Sequence, residues 1–194
     1  MSSNGRRLRS TVIAAVVATT LSLTVAPAMS PAAATQGPTK TPSAVTATSL
    51  VYDKNPDDPT NSKLIVYRGK ERLISYRAGS GTGSKNECTR NAGWIPNGNW
   101  KIKGKYPHYN GRYIKGYAVW LEDMPCSTGK KRKEMFIHSE MERNGKQGRS
   151  KARSWQDGDD YKSYGCVKLN PTNIEKMFKL LDSIGWPTHL RVVS

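Results

Sequence analysis

The sequence lacks internal repeats, a glycine-rich nucleotide-binding pattern and an uninterrupted apolar run of bilayer-spanning length. These absences argue against a repeat protein, a dinucleotide- or nucleoside-triphosphate-binding domain and a membrane-spanning domain. Cysteine is also scarce, with three in 194 residues. A chain of this length is sufficient for one domain of ordinary size.

Residues 1–34 are typical of a secretory signal peptide. Three arginines precede an uncharged apolar run at 12–25, and small residues offer cleavage after Ala28 or after Ala34. An uncleaved anchor is the alternative, but the run is short for ~30 Å of hydrocarbon and threonines dilute it. We therefore expect export, with no membrane span left after cleavage.

The chain is strongly basic, with a formal net charge of +16. Without the three arginines of the signal peptide, 28 basic residues stand against 15 acidic ones, so the exported chain keeps about +13. Such a surplus favours an anionic partner. The basic residues are scattered and no nucleic-acid motif accompanies them, so we expect anionic wall polymer rather than nucleic acid. Lysines that serve only solubility are the alternative.

An odd number of cysteines in an exported chain indicates one bridge and one thiol with another purpose. Cys88 and Cys126 both lie in polar, turn-like sequence, whereas Cys166 follows Ser163-Tyr164-Gly165. We therefore predict a Cys88–Cys126 disulfide, which on the chain-entropy model stabilises the fold by ~4 kcal/mol. Cys166 is left as the free thiol.

The pattern of the remaining chain predicts a mainly β fold with one C-terminal amphipathic helix before a last strand. Residues 35–48 are interpreted as a disordered linker and residues 49–194 as the folded domain. Alternation predicts a hairpin over 64–77, and further strands are expected at 94–102, 113–121 and 135–138. The predicted strand at 94–102 contains a turn at 96–98.

Near the C-terminus, apolar residues at helical spacing predict a helix. Thr172 with Glu175 is interpreted as its capping box, and Gly185 as its stop. Residues 190–193 are expected to form the last strand. The charged segment 140–162 is expected to be a long exposed loop, either a lid or an inert insertion.

Cys166 and His138 are the candidate catalytic pair. A thiol attacks a carbonyl well only as thiolate, so it needs a base and donors for the developing oxyanion. His138 ends an apolar stretch, where a scaffold can present a side chain to a site, whereas His108 is expected on a surface loop and His189 beside the last strand. Either candidate alone would more often be structural; the turn-forming residues before Cys166 favour catalysis.

His138-Ser139 followed by Ser163-Tyr164-Gly165-Cys166-Val167-Lys168 resembles the signature of the L,D-transpeptidase (YkuD-type) catalytic domain family. The resemblance extends in outline over residues 60–193. It implies a β-sandwich-like catalytic fold that cross-links peptidoglycan stem peptides outside the cytoplasm, with no cofactor and, we expect, as a monomer.

By position, the resemblance implies that Cys166 is the acylated nucleophile and His138 its base, oriented by the backbone carbonyl of Ser139. Backbone N–H groups of Tyr164, Gly165 and Cys166 are expected to form the oxyanion hole, with Ser163 supporting the turn. The implied reaction is two-step. Cys166 attacks the L-centre carbonyl of a tetrapeptide donor to give a thioester, and a side-chain amine of a neighbouring stem then attacks it.

The sequence departs from the family pattern on both sides of Cys166. Tyr164 stands where the family usually has histidine, and Lys168 where it usually has arginine. Lysine keeps the charge but loses the planar bidentate fork.

Three alternatives to a transpeptidase stay open at this point. One is an L,D-carboxypeptidase on the same fold, in which water replaces the acceptor amine. A second is a non-catalytic, basic wall-binding module. Zinc binding by one His and one Cys is the weakest, because no further ligands lie at short spacing.

Overall fold

The computed structural model describes residues 46–139, 155 and 157–194. Within these residues the strands are β1 (Thr48–Asp53), β2 (Ser62–Arg68), β3 (Glu71–Ser80), β4 (Gly98–Asn110), β5 (Lys115–Leu121), β6 (Met124–Pro125), β7 (Lys131–Arg132), β8 (Phe136–His138), β9 (Val167–Leu169) and β10 (His189–Val193). One α-helix, α1 (Pro171–Ile184), and two 3₁₀ helices, Pro59–Asn61 and Gly158–Tyr161, complete the described elements.

Eight strands close into a barrel in the order β1-β10-β4-β5-β8-β9-β3-β2, and β6 with β7 forms a separate two-stranded sheet. The β1–β10 and β8–β9 pairs are parallel, and the other neighbours are antiparallel. The predicted mainly β fold, with a helix before the last strand, is confirmed. Closure of the sheet removes open edges from these eight strands.

The barrel interior and the buried face of α1 form one apolar core. Its largest fully buried side chains are Trp100, Tyr52, Leu50, Leu64, Ile95, Leu121, Ile137, Leu169, Ile174, Met177, Leu181 and Leu190. The ring of Phe178 on α1 packs against Tyr117 of β5, with centroids 4.8 Å apart. Burial of this apolar surface is the main stabilising contribution to the fold and gives the strands that carry the site a rigid base.

The β2–β3 hairpin confirms the alternation read from the sequence. Its turn is centred on Gly69, whose φ of +62° favours glycine. The next strand differs from expectation, because β4 begins at Gly98 and continues to Asn110, well past residue 102. His108 therefore lies on an exposed strand rather than in a loop, since pairing with β5 persists out to Asn110.

The N-cap of helix α1 lies two residues before the predicted capping box. Asn170 is the N-cap, and its side-chain oxygen accepts a hydrogen bond from the Thr172 N–H at 2.8 Å. Pro171 occupies the first helical position, where its missing N–H carries no penalty. The assignment of Thr172 as the cap is thus wrong, because Asn170 already fills that role. The predicted stop is confirmed, with Gly185 as the C-cap at φ +92°.

The segment predicted as an exposed loop, 140–162, is described only from residue 155 onward, except 156; the remainder lies outside the described residues. In the described part Asp157, Asp159 and Lys162 are exposed, but the prediction is wrong for two aromatic residues. Trp155 and Tyr161 are buried, with ring centroids 5.2 Å apart, and Gly158–Tyr161 is a 3₁₀ helix. Aromatic burial fixes this end of the segment against β3, because Tyr161 packs on Gly79.

Strand β1 begins at Thr48, which is the last residue of the predicted linker. The predicted signal peptide and the rest of the linker, up to residue 45, lie outside the described residues. Within the described ranges, α1 and the 3₁₀ helices are too short or too polar to cross a membrane.

Candidate active site

Cys166 lies immediately before β9 and faces the start of β8. The Phe136 N–H donates to Cys166 Sγ at 3.4 Å, and the thiol donates to the Glu134 carbonyl at 3.7 Å. The residue is 8 % exposed and packs with Phe136 and Ala118. Cys166 is thus a nearly buried thiol held by two backbone groups of the chain segment that leads into β8.

A single hydroxyl organises the turn before Cys166. Ser163 Oγ donates to the Cys166 carbonyl at 2.6 Å and accepts from the N–H groups of Gly165 and Gly81, each at 3.2 Å. The expectation that Ser163 supports the turn agrees with these bonds. The Gly165 N–H, however, already donates to Ser163 Oγ within the turn, so we no longer include it in the proposed oxyanion hole. The N–H groups of Tyr164 and Cys166 remain the candidates.

Gly165 is required here for two separate reasons. Its φ of +115° lies in a region that L side chains rarely adopt. A Cβ at this position would also collide with the guanidinium of Arg132 and the Gly93 carbonyl.

The Gly165 carbonyl accepts from Ser80 Oγ at 2.8 Å, which in turn accepts from the Ile95 N–H at 2.8 Å. The turn is therefore tied to β3 as well as to β9.

His138 is the last residue of β8. Its Nδ1 lies 2.8 Å from the Ser139 carbonyl oxygen. A carbonyl oxygen only accepts, so Nδ1 carries the hydrogen and Nε2 is the nitrogen that can receive a proton. Ser139 is 3 % exposed, and its hydroxyl has no hydrogen-bond partner within the described residues.

The parallel β8–β9 register brings the pair to one face. Ile137 stands opposite Val167 and His138 opposite Lys168. Side chains alternate along a strand, so His138 shares a face of β8 with Phe136, and Lys168 shares a face of β9 with Cys166. His138 and Cys166 are therefore diagonal neighbours that line one cleft. No hydrogen bond joins their side chains in the described part of the chain.

Burial sets the protonation of both groups. Desolvation raises the pKa of the Cys166 thiol to about 11, although the Phe136 N–H and the Arg132 charge oppose the shift. Desolvation lowers the pKa of His138 to about 4; the hydrogen bond to Ser139 opposes this and the charge of Lys168 adds to it. At neutral pH the resting pair is thus a thiol and a neutral imidazole rather than a preformed ion pair.

The cleft has a volume of about 1060 Å³ and a predominantly basic wall. Among the described residues, its charged lining side chains are those of Arg90, Arg112, Lys133, Lys162 and Lys168, against the carboxylate of Glu134. Lys162 forms an ion pair with Asp159 at 2.6 Å. Tyr164 is 73 % exposed within the lining, so a bound ligand can reach its ring. The arrangement suits an anionic ligand presented to a thiol.

The predicted Cys88–Cys126 disulfide is confirmed, with 5.4 Å between the Cα atoms. Cys166 is the free cysteine. Among the described residues, no group of three or more His, Cys, Asp or Glu side chains is placed to hold a metal ion.

Sequence reasoning missed Arg132. This residue lies in a run of four basic residues, 130–133, and only it is buried. Its guanidinium donates to the carbonyl of Tyr164, the residue two before Cys166, at 3.4 Å. A basic run of this kind normally indicates a solvated surface, so no sequence signal distinguished Arg132 from its neighbours.

Comparison with protein families matches residues 57–184 to YkuD, the L,D-transpeptidase catalytic domain. The chain belongs to this family. No curated protein matches the chain significantly.

Solved structures that resemble the chain include two mycobacterial enzymes. The L,D-transpeptidase from Mycobacterium smegmatis is 17% identical, with 76% of this chain and 59% of that chain covered and a TM-score of 0.42. L,D-transpeptidase 1 from Mycobacterium tuberculosis is 17% identical, with 76% and 63% covered and a TM-score of 0.42. Bd1075 from Bdellovibrio bacteriovorus is 15% identical, with 75% and 47% covered and a TM-score of 0.47. The chain thus spans about half to three-fifths of the length of these proteins.

Proposed function

We propose that this protein is an extracytoplasmic peptidoglycan L,D-transpeptidase in which Cys166 forms a thioester with a tetrapeptide stem. The observation that carries the proposal is the placement of a nearly buried free thiol, immediately before β9, and a neutral imidazole, at the end of the adjacent parallel strand β8, where both line one basic cleft. Membership of the YkuD family supports the reaction class. The disulfide supports an oxidising location outside the cytoplasm.

In the first step His138 acts as general base. As Cys166 Sγ attacks the L-centre carbonyl of the donor, its proton passes to Nε2 of His138, and the Ser139 carbonyl stabilises the imidazolium through Nδ1–H. The C–S bond forms and the carbonyl oxygen becomes an oxyanion. In this proposal the Tyr164 and Cys166 N–H groups receive that charge.

Collapse of the tetrahedral intermediate breaks the amide bond. The terminal D-Ala leaves as an amine after taking the proton from His138, and the thioester remains on Cys166. A side-chain amine of a second stem then attacks the thioester, giving its proton to His138. Expulsion of the thiolate, which recovers that proton, yields the cross-linked product and the resting enzyme.

The basic cleft supports an anionic peptide as substrate. Arg90, Arg112 and Lys133 are exposed lining residues that can approach the carboxylates of a stem peptide. Lys168 has a second role in the proposal, because its charge helps keep His138 neutral and so able to accept a proton. Tyr164 contributes a hydroxyl and an aromatic face at the cleft wall.

Mass spectrometry tests the covalent step. The chain is incubated with a carbapenem or a tetrapeptide donor, and an adduct on Cys166 is sought in the wild type and in Cys166→Ala and His138→Ala. We expect an adduct in the wild type, none in Cys166→Ala and a much slower one in His138→Ala. Absence of a wild-type adduct would refute the catalytic role and leave the wall-binding alternative. An undiminished rate in His138→Ala would exclude His138 as the general base.

Product analysis separates transpeptidation from hydrolysis. With donor and acceptor stems present, cross-linked dimer supports transfer to an amine, whereas free tripeptide alone would assign an L,D-carboxypeptidase. Sedimentation of the mature chain tests the expected monomer.

A further inference from the structure

Arg132 is a buried cation at the end of β7. Arg132 is only 6 % exposed, whereas its neighbours Lys130, Lys131 and Lys133 are all exposed. Removing a guanidinium from water costs several kcal/mol unless hydrogen bonds and opposite charge replace its hydration. The site must therefore supply specific partners for it.

Four backbone carbonyls supply those partners. Nη1 donates to the carbonyls of Glu87 and Trp94, the latter at 3.4 Å, and Nη2 donates to those of Gly93 at 3.2 Å and Tyr164 at 3.4 Å. Three of the acceptors lie in the segment that contains Cys88, and the fourth lies in the turn before Cys166. Arg132 is the group that joins the disulfide-bonded segment to that turn.

The guanidinium also rests directly against the backbone of Gly165. No carboxylate lies within ion-pair distance of Arg132 in the described residues, although the charge of Glu87 acts on it. Burial lowers the pKa of Arg132, and negative charge on Cys166 is the first effect that opposes this shift. Conversely, the charge of Arg132 lowers the pKa of the Cys166 thiol.

We propose that Arg132 is a positioning residue for the nucleophile: it holds the Tyr164–Gly165 turn through its hydrogen bonds, and its charge favours the Cys166 thiolate. The inference rests on Cys166 as the proposed nucleophile. Five donors in a planar fork explain why arginine suits the position, since lysine offers three donors from one point. The attacking thiolate would thus be stabilised from the interior of the protein while His138 receives its proton on the cleft side.

Alkylation of Cys166 by iodoacetamide as a function of pH tests the charge directly. The intact disulfide leaves one thiol, so mass spectrometry follows a single site. We compare the wild type with Arg132→Met, and use Arg191→Met, an exposed arginine on β10 outside the cleft, as the matched control. The midpoint of the rate profile should rise by about one unit in Arg132→Met, giving about tenfold slower alkylation below it, and stay unchanged in Arg191→Met.

Because burial raises the pKa of Cys166 to about 11, the profiles are followed up to pH 10, below both midpoints, and the midpoint shift is measured as the ratio of the alkylation rates. A purely structural role would slow alkylation in Arg132→Lys as much as in Arg132→Met, whereas a charge effect would leave Arg132→Lys near the wild-type rate. A folded Arg132→Met protein with the wild-type midpoint would overturn the electrostatic part of the proposal.

Arg132→Lys keeps the test decisive if the methionine variant does not fold. It retains the charge and loses the fork, so the midpoint should stay near the wild-type value while carbapenem acylation slows. A raised midpoint in Arg132→Lys, or wild-type acylation by it, would contradict the proposal. Alkylation needs no substrate, so failure of the transpeptidase reaction and failure of this inference give different results.

Discussion

His138 and Cys166 lie diagonally across the parallel β8–β9 pair, with Phe136 beside the sulfur and Lys168 beside the imidazole. The Phe136 N–H lies 3.4 Å from Sγ, and the His138 Nδ1 lies 2.8 Å from the Ser139 carbonyl. Each member of the proposed pair is thus held by backbone rather than by the other member. Their protonation is consequently set by their separate surroundings, and this has measurable consequences.

The first consequence concerns the pH dependence of acylation. The neutral imidazole is the proposed base, and burial holds the pKa of His138 to about 4, below the ordinary value of 6.5. The rate of carbapenem adduct formation should therefore persist at pH 5.5 and fall only as His138 protonates, with a midpoint near 4. Mass spectrometry of samples quenched at set times, across pH 3.5–8, measures the rate of adduct formation. A midpoint at about 6.5 or above would mean that the resting pair is not neutral.

The same shift predicts how stability varies with pH. In the unfolded chain His138 protonates near 6.5, but in the folded chain only near 4, so the unfolded state binds more protons in this window. Stability should therefore fall as pH decreases from 6.5 to 4, by up to roughly 3 kcal/mol for this group. Urea unfolding of the wild type and of His138→Gln isolates the contribution. Parallel pH curves for the two proteins would contradict it.

Ser163 provides a test of the turn. Its hydroxyl donates to the Cys166 carbonyl and accepts from two N–H groups, so Ser163→Ala leaves those groups without their partner. We expect a loss of about 1–3 kcal/mol in the free energy of unfolding and slower adduct formation on Cys166. Ser183→Ala, which removes an exposed hydroxyl bonded to the Leu180 carbonyl, is the control and should alter neither. Unchanged acylation in Ser163→Ala would show that the turn holds without it.

Gly165 separates two kinds of constraint. Gly165 and Gly129 both have positive φ, +115° and +81°, so alanine at either position meets backbone strain of about 1–2 kcal/mol. Only Gly165 has neighbours that a Cβ would strike, because nothing lies within 4 Å of a Cβ at Gly129. Gly165→Ala should abolish adduct formation on Cys166. Gly129→Ala should lower thermal stability slightly but leave adduct formation unchanged. Equal behaviour of the two variants would assign the effect to φ alone.

Much of the site could be predicted from the sequence because its residues are close along the chain or distinctive in type. Cys166 was identified as the odd cysteine, and the disulfide that leaves it free is present. The apolar spacing predicts helix α1, although the sequence favours Thr172 as its cap and the structure has Asn170. Local patterns carry this information without reference to the rest of the fold.

Arg132 and Trp155 could not be predicted in this way, because their burial depends on distant segments. Arg132 lies in a run with three exposed lysines and is buried where Gly93 and Tyr164 contact it. Trp155 lies in a charged, glycine-containing segment, and the ring of Tyr161 is among the contacts that bury it. Such positions require the tertiary structure, since charge and composition along the chain indicate exposure.

The charge of the cleft predicts a preference among substrates. Arg90, Arg112 and Lys133 are exposed cations in its wall, and Glu134 is the opposing carboxylate among the described residues. A tetrapeptide donor with free carboxylates should therefore react with a higher kcat/KM than the same donor with those carboxylates amidated. At solvent-exposed positions the expected ratio is about two- to fivefold per carboxylate, and added salt should reduce it because exposed charges are screened.

Paired variants make this preference specific to the cleft. Arg112→Met should reduce the ratio between free and amidated donors, and Arg191→Met, outside the cleft, should leave it unchanged. Steady-state rates with both donors, at low and at high salt, provide the measurement. Equal kcat/KM for the two donors at low salt, or faster turnover of the amidated one, would show that the basic wall does not bind the donor's carboxylates. The surplus charge would then act elsewhere, and salt-sensitive binding of Cys166→Ala to isolated wall polymer would identify that partner.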